Sequence, residues 1–345
     1  MKNVLGIDIG GTKIAVCLAN EKGEILGSER FPSTKTCEEA VDRIASLAND
    51  LLEMKEMTMA DVACCGISAP GPLDTAEGLL LRSPNLGWAD KSPIAFYLEE
   101  KLGVPAILEN DANAGALAEW FFGHGNGKSN MIYMTMSTGV GAGVICEGKL
   151  LHGVNGNAGE VGHICLDING RRCNCGLRGC LEAYTGGQAV QHFMQSQLKD
   201  DPRHEFFSLP CVNGKVENLN FKALLEGVKA KIPLALEWWD EYCLRLAQGI
   251  GIIGTCFNPE LIVLGTTSHY AGDLLMKPLR ELLPRFMWRQ FYDGHHGQRP
   301  GHPHRRDGGR LRRIQQSLRE GTLGSPCIEV ACSPYLLPFD REGMG

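Results

Sequence analysis

Apolar positions divide the first third of the chain into strands and helices. They alternate over residues 4–9 and resume over 14–18, on either side of Gly10-Gly11-Thr12, which predicts a β-hairpin. Residues 37–54 have the 3.6-residue spacing of an amphipathic helix. The pattern then predicts a buried strand at 63–67, a helix at 92–101, a strand at 106–108 and a helix at 112–120.

The opening pattern recurs near residue 140. A strand at 131–136 is followed by a glycine-rich turn at 138–143 and a returning strand at 144–146. Further segments are helices at 187–198, 221–228 and 233–256, a strand at 261–264 and a helix at 272–283. Two similar α/β halves that face each other explain the repeat. We expect one lobe at 1–118 and the other at 119–292.

Composition and charge narrow the class of protein. The 345 residues are 43% hydrophobic and 21% charged, which is typical of a globular protein with about two domains. A net charge of −6 argues against a chain-wide nucleic-acid surface. No apolar run is long enough for a membrane span, and Asp8 interrupts the first apolar run. We therefore expect a cytoplasmic protein without a signal peptide, a membrane partner or a nucleic-acid partner.

The character of the chain changes after residue 293. Residues 295–313 are rich in His, Arg, Gly and Pro, and Lys277 is the last lysine. A basic tail for nucleic acid is one interpretation, but interleaved aromatic residues are missing. The genetic code offers another interpretation. If the codons of residues 295–317 are read one base forward, they can encode a glycine turn followed by a helix-forming, alanine-rich segment. We hypothesise that the coding frame shifts near Gly294 and that 293–345 is an atypical basic tail that is disordered.

Two turns have the composition of phosphate-binding loops. The first is not a P-loop, because Thr precedes Lys and a strand follows, but adjacent glycines still let backbone N–H groups approach a phosphate. An ordinary hairpin is the alternative for this turn alone. The second turn makes a pair of phosphate loops the favoured interpretation, with Asp8 placed to orient Mg²⁺. The candidate residues are Asp8, Gly10, Gly11, Thr12, Lys13, Thr138, Gly139 and Gly141.

Two further segments have polar residues suited to a cleft. Asn110 and Asp111 lie where a buried strand meets a helix, and a carboxylate there could accept the proton of a substrate hydroxyl. A helix cap is the alternative role for Asp111. Asn85 lies in the loop at 83–88 and could bind sugar hydroxyls, although a plain turn explains that loop equally well.

The most specific segment is a cluster of metal-ligand residues. His163 precedes Cys173, Cys175 and Cys180 within 18 residues, which fits a tetrahedral structural zinc site with no open position for water. A cluster of free thiols is the alternative. Glu160 and Glu182 flank the cluster and could be oriented by it.

Together these motifs resemble the ROK family of bacterial sugar kinases and repressors, over residues 1–292. The resemblance implies an actin-like ATPase (ribonuclease H-like) fold, with two α/β lobes around a cleft, and a homodimer. It implies that Asp111 is the catalytic base, that the two turns hold the phosphates of ATP, and that Gly265 lies in the adenosine pocket. Many relatives have a further glycine where this chain has Thr266. The implied hexose site consists of Asn85, Asn110, Asp111, Glu160, His163 and Glu182.

Within that family the resemblance favours a kinase. Repressors have a winged helix before the first strand, whereas the first strand predicted here begins at residue 4. The loop around Asn85 and the acidic residues around His163 are most similar to glucokinase. Kinases of N-acetylmannosamine and N-acetylglucosamine share most of these residues, and fructokinase fits less well. A catalytically impaired sugar-binding regulator and an ATPase that acts on no sugar also fit these motifs. The expected ligands are a hexose, ATP, Mg²⁺ and structural Zn²⁺.

Overall fold

The first lobe is built on a five-stranded mixed sheet. The computed structural model describes residues 2–82, 86–288 and 329–332. The strands of the lobe are β1 (Asn3–Ile9), β2 (Lys13–Asn20), β3 (Ile25–Pro32), β4 (Val62–Ala69), the short pair β5 (Leu73–Asp74) and β6 (Leu79–Leu80), and β7 (Ala106–Asn110). The sheet order is β3-β2-β1-β4-β7, with β1, β4 and β7 parallel. Helices α1 (Cys37–Glu53) and α2 (Ile94–Leu102) pack with it around one core.

The second sheet repeats the first in order and direction. Its strands are β8 (Met131–Met136), β9 (Val140–Cys146), β10 (Lys149–Leu150), β11 (Leu261–Leu264) and β12 (Glu329–Cys332). Their order is β10-β9-β8-β11-β12, again with two antiparallel and two parallel pairings. The repeat confirms the expected pair of similar α/β halves.

The side chains of β8 alternate between two cores, so this strand is buried on both faces. Met131 and Tyr133 pack with Ala116 of α3 (Asp111–Phe122). Ile132 and Met134 join the larger core on the other face. A strand covered on both sides reads as a continuous apolar run. The remaining helices are α4 (Glu182–Thr185), α5 (Gly187–Leu198), α6 (Phe221–Lys229), α7 (Pro233–Phe257), α8 (Thr267–Ala271) and α9 (Asp273–Leu282).

Helix α3 links the two lobes. It follows β7 of the first sheet directly, but it packs mainly against β8 and β9 of the second. The packing partner therefore changes at the junction of Asn110 and Asp111, and the lobe boundary expected at residue 118 stays a prediction. Asp111 consequently lies at the crossover between the two lobes.

The second glycine turn is shorter than its sequence indicates. Strand β9 already begins at Val140, so Gly141 and Gly143 lie inside the strand. A Cβ atom on Gly143 would lie 2.5 Å from the Cβ of Ala116 and 2.6 Å from the carbonyl oxygen of Ala112. Glycine is required there because helix α3 approaches the strand closely. Thr138 and Gly139 remain in the turn itself.

Two strands depart from the sequence-based expectations. Strand β3 is an edge strand with mostly exposed side chains, so it lacks the alternation that would have predicted it. Strand β12 falls in the segment expected to be disordered, yet Glu329 to Cys332 pair in parallel with Leu261 to Leu264. Val330 is buried in the second core. The expectation is therefore wrong for these four residues, because the second sheet needs a fifth strand beside β11.

No helix among residues 2–82 and 86–288 is both long and apolar enough to cross a membrane.

The turn after β11 contains a residue in an unusual backbone conformation. Thr266 has a φ of 49° and a ψ of −99° between β11 and α8. A β-branched residue at positive φ is strained, whereas glycine adopts such angles readily. Glycine at position 266 would therefore relieve the strain.

We predict that Thr266→Gly raises the free energy of unfolding. Relief of backbone strain outweighs the added flexibility of the unfolded chain, and the net gain is about 1 kcal/mol. Urea unfolding followed by circular dichroism measures it. Lys199→Gly is the control, since Lys199 has ordinary helical angles and glycine there brings no gain. A T266G protein no more stable than the parent would contradict the prediction.

Candidate functional site

Polar side chains line up at one edge of the first sheet. Asp8, Ser68 and Glu109 are register partners on β1, β4 and β7, near the carboxyl ends of these parallel strands. The Ser68 hydroxyl donates to Oδ1 of Asp8 at 3.1 Å. Ligand sites of open α/β sheets lie at this end of the strands. The row therefore marks the cleft side of the first lobe.

The first glycine turn is stabilised by hydrogen bonds to its backbone. The Gly10 N–H donates to the carbonyl oxygen of Lys13 at 2.9 Å. Ser33 supports the turn twice: its hydroxyl donates to the Gly10 carbonyl at 2.6 Å, and its N–H donates to the Thr12 carbonyl at 3.0 Å. Gly11, Thr12 and Lys13 are exposed. A braced turn with an exposed tip can present backbone N–H groups to an anion without rearranging.

Asp111 begins helix α3 but does not cap it. Asn110 is the cap, since its Oδ1 accepts from the N–H groups of Ala112 at 3.0 Å and Asn113 at 3.4 Å. Oδ1 of Asp111 accepts from the Ala112 N–H at 2.8 Å. The capping role suggested for Asp111 thus belongs to its neighbour, and the Asp111 carboxylate stands at the positive end of the helix dipole.

The environment of Asp111 favours its protonated form. The residue is exposed to the cleft, yet protein atoms crowd its carboxylate, and this desolvation raises the pKa of Asp111 above that of an ordinary aspartate. The negative charge of Glu160 raises the pKa further, whereas the Ala112 N–H lowers it. A carboxylate with a raised pKa is a stronger base, which suits it to accept a proton.

Glu109 connects the two lobes beside Asp111. Its Oε1 accepts from the Asn110 N–H at 2.8 Å and from Nδ2 of Asn113 at 2.9 Å. Its Oε2 lies 2.7 Å from Nε2 of His152, which follows β10 in the second lobe. Sequence reasoning missed His152 as a site residue, because it lies alone in a polar loop and gives no motif signal.

Glu182 joins the second glycine turn to the cysteine cluster. Its Oε2 accepts from the Val140 N–H at 2.9 Å, and its Oε1 accepts from Sγ of Cys173 at 3.6 Å. A Cβ atom on Gly139 would lie 2.4 Å from Oε2 of Glu182, so glycine is needed for this approach. The N–H groups of Gly187 and Gln188 donate to the carbonyls of Ser137 and Thr138. The turn is thereby fixed to the start of α5.

The four predicted metal ligands converge. One donor atom from each of His163, Cys173, Cys175 and Cys180 lies within 4.8 Å of every other. Nδ1 of His163 is 3.8 Å from Sγ of Cys173, and Sγ of Cys175 is 3.7 Å from Sγ of Cys180. Tetrahedral zinc with Zn–S bonds of about 2.3 Å separates two sulfur ligands by about 3.8 Å. The spacing of the donors therefore fits zinc.

The backbone and the burial of the cluster act on its thiols in opposite directions. The Leu177 N–H donates to the Cys175 sulfur and lowers the pKa of that thiol. The turn is closed by Cys173 N–H donating to the Leu177 carbonyl at 2.9 Å and Gly176 N–H donating to the Cys173 carbonyl at 3.0 Å. Burial raises the pKa of Cys173 to about 12 and also raises that of Cys180. Metal ligation requires deprotonated cysteines, so a zinc ion would have to displace the protons of both thiols.

His163 lies between the cluster and the cleft. Its Nδ1 faces Cys173, and its Nε2 is 4.0 Å from Oε2 of Glu160. One ring nitrogen is thus placed for a metal and the other for the acidic side of the site. Glu160 is exposed and also acts electrostatically on Asp111.

The structure does not bring every predicted site residue into this arrangement. Asn85 lies outside the described residues. Gly265 is buried at the end of β11, where a Cβ atom would lie 2.2 Å from the hydroxyl oxygen of Tyr133. Close packing against Tyr133 is sufficient to explain this glycine, and its place in an adenosine pocket stays a prediction.

Comparison with known proteins agrees with the motifs. The model of the ROK family matches residues 4–304. The glucokinase of Streptomyces coelicolor is 31% identical over 293 residues, which cover 84% of this chain and 90% of that protein. The xylose repressor of Caldicellulosiruptor bescii is 30% identical over 296 residues, covering 84% of this chain and 72% of the repressor.

A solved structure shares the architecture. The crystal structure of a ROK family glucokinase from Streptomyces griseus in complex with glucose and AMPPNP aligns with a TM-score of 0.71 and 28% sequence identity. The alignment covers 96% of this chain and 94% of that one. The two-lobe α/β fold expected from the motifs is therefore confirmed.

We predict that the chain purifies with one zinc ion and that Cys175→Ser loses it. Removing one of four ligands lowers the affinity steeply, and chelation of zinc from the parent lowers its melting temperature, because the bound ion stabilises only the folded chain. Elemental analysis and thermal melting measure both effects. Cys146→Ser is the matched control, since Cys146 is equally exposed but lies outside the cluster. Parent protein without metal after chelator-free purification would overturn the assignment.

Proposed function

Because this chain belongs to the ROK family, we propose that it is an ATP-dependent hexose kinase, most specifically a glucokinase that phosphorylates the 6-hydroxyl of glucose. The observation that carries the proposal is the position of Asp111. Its carboxylate lies at the crossover of the two lobes, its pKa is raised, and β9, which follows the second glycine turn, packs against the helix that Asp111 begins. The first glycine turn follows β1, and only β4 separates β1 from β7, the strand that leads to Asp111. A base between a sugar site and a phosphate site is what phosphoryl transfer to a hydroxyl requires.

Each group has a role in this scheme. Asp111 accepts the proton of the attacking hydroxyl. Asn110, Glu160, His163 and Glu182 hold the other sugar hydroxyls, together with Asn85. The turns around Gly11 and Gly139 cradle the phosphates of ATP through backbone N–H groups. Asp8 would hold Mg²⁺ or its waters, and this ion would neutralise charge on the phosphates.

The cysteine cluster acts indirectly in the proposal. Four protein ligands would fill the coordination of zinc, so the ion would be structural. It would fix His163, while the carboxylate of Glu182 would stay held by the Val140 N–H. The sugar side of the cleft would then be rigid before glucose arrives, which favours correct orientation of the 6-hydroxyl.

Partners and location follow from the same scheme. Glucose and ATP are the proposed small-molecule substrates. We place the enzyme in the cytoplasm, where free cysteines stay reduced. The homodimer expected from the family stays a prediction.

We predict that Asp111→Asn binds glucose but loses turnover by about 10²–10⁴-fold, because the amide is isosteric and cannot accept the proton. Coupled ADP release with glucose, N-acetylmannosamine, N-acetylglucosamine and fructose measures turnover, and calorimetry measures glucose binding. Asp50→Asn, an exposed change on α1, is the control and keeps full activity. A nearly normal rate in D111N would remove Asp111 as the base. Sugar binding by the parent without ADP release would instead identify a regulator.

We predict that kcat/KM for glucose falls on the acid side at a pH above the range of ordinary aspartates. The base must be deprotonated, and a raised pKa moves its protonation to higher pH. Glu160→Gln removes a negative charge that raises the pKa of Asp111, so the acid limb moves to lower pH even where the rate itself is reduced. A pH profile of both proteins tests this. If the acid limb of the E160Q protein does not move, the limb does not report the protonation of Asp111.

A further inference from the structure

We infer that Cys165 and Cys180 form a disulfide site, so that a peroxide can remove Cys180 from the metal cluster. Cys165 is a fourth cysteine beside the cluster and is not one of its four donors. It follows His163 by two residues, but its partner in the structure lies on the opposite segment of the cysteine loop. The disulfide needs only the fold, whereas its effect on metal rests on the proposed zinc site.

The backbone places the two cysteines face to face. Cys165 and Cys180 form an isolated antiparallel bridge. The hydrogen bonds that define it flank the pair: Leu166 N–H donates to the Gly179 carbonyl at 2.7 Å, and Leu181 N–H donates to the Ile164 carbonyl at 3.0 Å. The cysteines themselves are therefore a non-hydrogen-bonded pair.

This register brings their side chains close. In a non-hydrogen-bonded antiparallel pair the Cα atoms are about 4.5 Å apart and the side chains lie on the same face. A disulfide spans Cα atoms about 4.4–6.8 Å apart, so the pair can be cross-linked with little backbone movement. Gly179, beside Cys180, permits the close approach, since a Cβ atom there would lie 1.7 Å from the Asp167 carbonyl oxygen.

The two thiols differ in access. Cys165 is exposed, and its Sγ contacts the carbonyl oxygen of Arg178 at 3.5 Å. Cys180 is fully buried. An oxidant in solution therefore reaches Cys165 first, while Cys180 is positioned to attack the oxidised sulfur. Cys175 also lies near Cys180 and is exposed, so it is the rival partner.

The chemistry balances with hydrogen peroxide as the oxidant. The Cys165 thiolate attacks one peroxide oxygen, the O–O bond breaks, and Cys165 becomes a sulfenic acid while hydroxide leaves. The Cys180 sulfur then attacks the Cys165 sulfur, the S–O bond breaks, and a second hydroxide leaves. Protons from the two thiols and solvent convert both hydroxides to water. Two electrons pass from the sulfur atoms to the peroxide, and a thiol reductant reverses the step.

The consequence is a change in the metal site. Cross-linking leaves His163, Cys173 and Cys175 as the remaining donors, which weakens retention of zinc. Because Cys173 Sγ lies 3.6 Å from Oε1 of Glu182, loss of the ion also changes the charge beside the carboxylate that supports the second glycine turn. The site would thus couple oxidation to the shape of the cleft.

The test treats the purified full chain with a small excess of hydrogen peroxide and maps its disulfides by mass spectrometry after alkylation. We expect a peptide pair joined through Cys165 and Cys180, with a mass lower by two hydrogens, and release of zinc to a chromogenic chelator. Cys165→Ser keeps the contact with Arg178, loses the cross-link and retains zinc longer. Cys256→Ser, at an exposed cysteine outside the cluster, is the matched control and behaves as the parent.

Three results would overturn the inference: a Cys175–Cys180 cross-link, irreversible oxidation of Cys165 without a cross-link, or equal zinc release from parent and C165S. Repeating the disulfide mapping on protein treated with a chelator tests the disulfide site separately from the proposed zinc site. The same cross-link in a protein that never held zinc would sustain the disulfide site and reject the zinc assignment alone.

Discussion

The close packing of helix α3 on strand β9 is the contact on which the site depends. Gly143 leaves the space that Ala116 and the carbonyl of Ala112 occupy, and Gly141 lies 3.5 Å from Ala112 at the position of its missing Cβ. Because α3 follows β7 without a linker, this contact fixes the start of the helix against both sheets. Asp111 is held where the lobes meet, and its desolvation follows from the crowding there.

Two polar connections extend this arrangement outward. Glu109 joins the turn before α3 to His152, and Glu182 joins the second glycine turn to the cysteine cluster. The cluster is in turn anchored on α7, since Nε2 of Gln248 donates to the Leu166 carbonyl at 3.1 Å and Arg245 lies 3.6 Å from Asp167. The carboxylates of Glu109 and Glu182 are therefore positioned by contacts between separate elements of the fold.

Sequence patterns predicted the elements that bury apolar residues. Residues 131–136, 187–198 and 261–264 have the predicted bounds, because each has a clear period or a continuous apolar run. Strand β3 escaped prediction, since an exposed edge strand needs no alternation. Gly141 lies inside β9 beside Ala112, which the sequence did not predict because glycine at a turn and glycine under a helix are identical in sequence; its role in phosphate binding stays a prediction. The pairing of Glu109 with His152 spans 43 positions, and no local signal reports such a contact.

The late position of strand β12 in the sequence has a consequence for the synthesis of the chain. Strand β11 ends at Leu264, yet its second neighbour in the sheet begins only at Glu329. On the ribosome, one edge of β11 therefore waits for the synthesis of more than sixty further residues before it is paired. An unpaired strand edge readily joins the edge of another chain. The second sheet is thus open to such pairing until late in translation, at a stage when the first sheet, complete by Asn110, has long been closed.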